Sequence, residues 1–143
     1  MKVVDRPLPS VLIAVLVLIT SACSNPLSSL FGNPNTPSDT STDTFNGNLA
    51  PNGALVFTFS VATAGNVAVT LKAVSPAATG PLGLGVGQPS DGNCTVAIST
   101  SAATAGGNPQ LSADAKPGNY CVRVSDAGSL TTASTVTVTV THP

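Results

Sequence analysis

From Phe45 onward, apolar residues return at every second position in a series of short runs. Leu55, Phe57, Phe59 and Val61 share one face of "ALVFTFSV". Val67, Val69, Leu71 and Ala73 share one face of "NVAVTLKA", with Ala68, Thr70 and Lys72 on the other. "PLGLGVG" alternates Leu82, Leu84 and Val86 with Gly83, Gly85 and Gly87, and "CTVAIS" offers Val96 and Ile98. "YCVRVS" sets Tyr120, Val122 and Val124 against Cys121, Arg123 and Ser125, and "STVTVTVT" sets Val136, Val138 and Val140 against a ladder of threonines. A period of two marks strands with one face buried and one wet. Turn clusters separate the runs: "APNG", "ATAGN", "SPAATGP", "QPSDGN", "TAGGNP" and "AKPGN". In the last, Pro117-Gly118 suits the two central positions of a type II turn. The pattern predicts an all-β domain over residues 45–142. Its expected form is an antiparallel two-sheet sandwich of seven or eight strands, Ig-like or jelly-roll-like.

The N-terminal part follows another pattern. Lys2 and Arg6 precede the apolar run Val11–Ile19, and small residues follow it. That is the layout of an export signal, and the run is shorter than the about 20 residues a spanning helix needs. The stretch Ile19-Thr20-Ser21-Ala22-Cys23 resembles the lipobox of bacterial lipoproteins, with Thr20 where that family usually has Leu. The resemblance implies removal of residues 1–22, lipidation of Cys23, and attachment to the membrane through that lipid. Ser24 beside the lipidated Cys implies the outer membrane, where the host has one.

Residues 23–44 then read as a lipidated Cys and a flexible tether. "SNPLSSLFGNPNTPSDTSTDT" is mostly Ser, Thr, Asn, Pro and Asp, with little to bury. Such a coil reaches on the order of 25 Å.

Composition narrows the function classes. Charged residues make up 8% of the chain and there is no Glu or Trp. Lys72, Lys116 and Arg123 balance Asp91, Asp114 and Asp126 in the sandwich region. No basic cluster is available to displace counterions from phosphates, so nucleic-acid binding is not expected.

Of the three cysteines, Cys94 and Cys121 remain for the sandwich. In an exported domain they are expected to form a disulfide. One detail resists simple alternation: Cys121 shares parity with outward Arg123, whereas Cys94 shares it with Val96 and Ile98. His142 is the single histidine and is expected at the surface. Asp91, Asp114 and Asp126 are expected in turns, bonded to their own backbone. Neither a catalytic pair nor a metal or cofactor site is expected from these residues. Gly83, Gly85 and Gly87 leave one strand face bare, as on an edge strand or one covered by a loop. The threonine row 135, 137, 139, 141 is ordinary strand chemistry on a wet face.

"FNGNLAPNGALVFTFSV", "GNVAVTLKA" and "PGNYCVRVSDAG" together resemble the bacterial pre-peptidase C-terminal type of β-sandwich, an accessory module of secreted enzymes. The resemblance rests on Gly47, Leu49, Gly53, Phe57, Phe59, Gly118, Tyr120, Val122 and Val124 and implies the sandwich fold. The expected function is a non-enzymatic, membrane-anchored envelope module that binds a partner or adds structure. An envelope protein or cell-wall glycan is the expected ligand. The alternative is a small envelope hydrolase or an accessory subunit of a secreted enzyme.

Overall fold

The computed structural model describes residues 39–143. The expected export signal, Cys23 and most of the expected tether lie outside the described residues. Eight strands follow in order: β1 Ser41–Leu49, β2 Ala54–Val61, β3 Gly65–Ser75, β4 Leu82–Ser90, β5 Asn93–Ala103, β6 Leu111–Ala115, β7 Gly118–Ser125 and β8 Ser134–His142. They form two four-stranded sheets, β1-β8-β3-β6 and β2-β7-β4-β5, in which every pairing is antiparallel.

The alternation read from the sequence builds the core. Val136, Val138 and Val140 of β8 and Val122 and Val124 of β7 are fully buried, together with Leu49, Leu71 and Leu84. Burying each such side chain contributes about 1.5–3 kcal/mol. Two elements go beyond the alternating runs. β1 begins at Ser41, within the stretch read as tether, because Ser41–Thr44 pair with Thr139–His142 of β8. β6 carries only one large apolar residue, Leu111, and is a strand because β3 offers it a partner from Gly65 to Val69.

Two bulges change which side chains face inward. On β3 the register with β8 shifts between Leu71 and Ala73. Leu71 therefore points into the core, Ala73 is exposed, and Val74 packs against the core in its place. On β5, Val86 pairs with Ile98 but the next residue, Gly87, pairs with Val96, leaving Ala97 as the extra residue. A one-residue insertion reverses the phase of everything beyond it. Ile98 faces inward, whereas Val96 and Cys94 lie on the outer face of their sheet.

That reversal resolves the parity of the cysteines. Cys121 pairs with Gly87 and points outward with it, and Cys94 now lies on the same side. The two form a disulfide, with Cα atoms 5.8 Å apart. β4 lies between their strands in the sheet, but the β4–β7 ladder ends at the Gly87–Cys121 pair. Beyond it the β4–β5 hairpin continues to Ser90–Asn93, and its tip is bound back onto β7. Asp91 (φ +47°) and Gly92 (φ +78°) close this hairpin as a two-residue loop, the left-handed geometry that Asp-Gly favours.

The last turn differs from expectation. Gly118 has φ +156°, far from the about +80° of a type II turn's third position. The β6–β7 connection is held instead by Tyr120, whose hydroxyl donates to the Lys116 carbonyl (3.0 Å) and accepts from the Lys116 N–H (3.2 Å).

Candidate functional site

β4 is an interior strand, so its glycine face is not that of an edge strand. Atoms of the neighbouring strands crowd each glycine. A Cβ on Gly83 would lie 2.5 Å from Ser125 Oγ, and one on Gly85 would lie 2.7 Å from Val96 Cγ1. At Gly87 a Cβ would collide with the Thr95 carbonyl at the bulge, so only glycine permits that approach.

The titratable residues divide into two kinds. Asp126 is nearly buried, at 7% exposure, and its carboxylate accepts three backbone N–H groups. Oδ2 takes Asn52 N (2.8 Å), and Oδ1 takes Ser129 N (2.7 Å) and Leu130 N (3.2 Å). The Asn52 N–H, above all, holds its carboxyl below the ordinary value of 3.8; burial opposes this, and the Ser129, Gly128 and Leu130 N–H groups add to the lowering. The Asp126 N–H donates in turn to Gly53 O (2.9 Å). One side chain thus joins the β1–β2 turn to the β7–β8 loop.

His142 is not at the surface. It is 6% exposed, with Nε2 3.1 Å from Asp43 Oδ2 and its ring 5.5 Å from that of Phe59. The signal for this was present, since His142 continues the inward series Val136, Val138, Val140. Asp114 is not in a turn either: it is an exposed residue on β6, opposite Asn66. Asp91 is in its turn, as expected. Among the described residues no three His, Cys, Asp or Glu side chains gather as a metal site, and no helix is long and apolar enough to cross a membrane.

The feature that sequence reasoning missed is a cleft. The two sheets part on the side where β6 ends one and β5 ends the other. Between them lies an apolar cleft of about 730 Å³. Val67 and Ala113 line it from one sheet, and Val86, Ile98 and Tyr120 from the other. Asp114 is the single charged residue on its lining. Tyr120 is fixed there by Lys116 and by stacking on Phe59, with ring centroids 5.8 Å apart. Farther along the same side, a smaller hollow of about 310 Å³ lies beside Leu71, Val74 and Leu82. Between the two, the β5–β6 loop covers the rim of β3. Gln110 N donates to Val69 O (2.9 Å), Gly106 N donates to Leu71 O (2.9 Å), and Leu71 N donates to Gln110 Oε1 (2.7 Å).

No family model and no curated protein matches the chain. Among solved structures it is similar to the pre-peptidase C-terminal domain of a collagenase from Bacillus anthracis, at 24% identity and a TM-score of 0.48, covering 69% of this chain and 88% of that one. It is also similar to the Yersinia pseudotuberculosis-derived mitogen, at 11% identity and a TM-score of 0.47, covering 72% and 86% respectively.

Proposed function

We propose that this protein is a cell-envelope lipoprotein, anchored through lipid on Cys23, whose β-sandwich is non-catalytic and acts by binding a partner at the membrane surface. The observation that carries the binding role is the apolar cleft between the ends of two sheets, about 730 Å³ in volume. Ligand sites are concave, largely apolar and furnished with a few polar groups, and this cleft has those properties. The buried carboxylate and the imidazole are engaged elsewhere: Asp126 with backbone amides, His142 with Asp43. The anchor is supported by the short apolar run and the Cys that follows it. A tether between lipid and domain raises the domain's local concentration at the surface.

The experiment has two parts. Cys23→Ala should remove fatty-acid labelling and release the protein from the membrane fraction; retained labelling and partitioning overturn the anchor. The full chain in detergent should retain a component of envelope extract or isolated peptidoglycan, and Ala113→Trp, which fills the cleft, should abolish that retention without lowering the melting temperature. Retention unaffected by Ala113→Trp overturns the cleft as the binding site. Turnover of peptidase, esterase or glycosidase substrates by the same sample overturns the non-catalytic reading.

A further inference from the structure

We infer that the cleft is a strand-addition site, at which an extended segment of a partner protein pairs with β6 and lays alternate apolar side chains between the sheets. The inference rests on the binding reading above and names the class of partner. Two strands border the cleft, and they differ as templates. β5 is interrupted by register shifts at Ala97 and again between the pairs Leu82–Ala103 and Leu84–Thr100. Bulges of that kind twist an edge away from further pairing. β6 keeps an unbroken register with β3 from Gly65–Ala115 to Val69–Leu111 and ends its sheet. An added strand would continue this sheet past β6 and close over the cleft.

The register dictates what that strand must carry. Ala113 pairs with buried Val67, so Leu111, Ala113 and Ala115 share the inward face, while Ser112 and Asp114 face out. Small alanines on the inward face leave room for larger apolar side chains of the partner to reach Val86 and Ile98. On the outer face, Asp114 makes no ion pair among the described residues and is the one charge on the lining. Opposite charges directly across a strand pair are favourable and like charges are not. The partner is therefore an extended peptide with apolar residues at alternate positions and a Lys or Arg opposite Asp114. Main-chain pairing would supply affinity and the alternate side chains specificity.

The test uses the full chain in detergent and a capped peptide, Thr-Val-Thr-Val-Lys-Val-Thr-Val-Thr, with a second peptide in which Glu replaces the Lys. The Lys peptide should bind and protect amides of β6 from hydrogen exchange. Asp114→Lys should weaken that peptide about five- to tenfold and strengthen the Glu peptide by a similar factor, while the melting temperature stays unchanged. Protection confined to β5 or another strand, affinities indifferent to residue 114, or failure of the peptide to bind each overturns strand addition at β6. Protection of β6 by a second copy of the protein, without peptide, also overturns it in favour of self-pairing. None of these outcomes touches the retention of an envelope component, which tests the broader reading separately.

Discussion

The two long sides of the sandwich are closed by different means. Where β1 lies over β2, Phe45 stacks on Phe57 with ring centroids 5.2 Å apart. Gly47 makes room for the pair, since a Cβ there would lie 2.7 Å from Leu55 Cδ1 and 3.0 Å from Phe57 Cζ. Asp126 fastens the end of that side through Asn52. Where β6 faces β5, the corresponding positions are Ala97, Ala113 and Ala115, and the sheets part. There the disulfide ties β5 to β7 within one sheet, on its outer face, and Gln110 ties the β5–β6 loop to β3 of the other. Large rings on a thin backbone make a sealed edge; small side chains between two strand ends make a cleft. The side where large side chains do not bridge the sheets is the one with apolar surface to spare.

The largest expected effect loosens the sheet whose end strand, β5, borders the open side. Replacing both Cys94 and Cys121 by Ala removes a cross-link closing a 27-residue separation. The loss should be about 3.5 kcal/mol, or roughly 15–25 °C in melting temperature for a domain of this size. Thermal melts of the variant, and of the unaltered protein with and without reductant, check this. If that sheet instead draws its stability from packing alone, the double variant will melt with the parent.

A second pair of substitutions weighs packing on the two sides directly. Phe57→Ala empties the sealed edge and should cost about 2–3 kcal/mol, below the full core value because Phe57 is half-buried. Ile98→Ala on the cleft wall should cost only about 1 kcal/mol, since its surroundings are already partly open. Denaturant unfolding of both variants sharpens the comparison, and equal costs would remove it.

The third prediction concerns acid. Asp126 has a folded pKa below its ordinary value, so the folded state binds fewer protons than the unfolded one as pH falls through this range. Its contribution is fully present above the unfolded value of about 3.9 and is lost as pH falls through the lowered folded value. Asp126→Asn should be less stable than the parent at neutral pH, and the gap should narrow below about pH 4. Unfolding curves from pH 2 to 7 measure it; a gap that persists undiminished at pH 2 would assign Asp126 a role independent of its charge.

Part of this molecule follows from local sequence alone. Period-two runs such as Leu55-Phe57-Phe59-Val61 and Val136-Val138-Val140 specify strands and their buried faces, because side chains on a strand alternate whatever the partner. Asp91-Gly92 specifies a tight hairpin because those residues adopt left-handed conformations cheaply. Pairing of Cys94 with Cys121 was legible because they are the two cysteines that fall in the strand-forming part of the chain. The tertiary structure decided the rest. Bulges at Ala97 and beside Lys72 belong to a pair of strands, so no single strand announces them, yet they move Val96 and Ala73 outward and bring the cysteines to one face. β6 is a strand because β3 needs a neighbour, and His142 is buried because Asp43 and Phe59 receive it. The cleft exists only where the ends of two sheets, far apart in sequence, are set side by side with small residues between them.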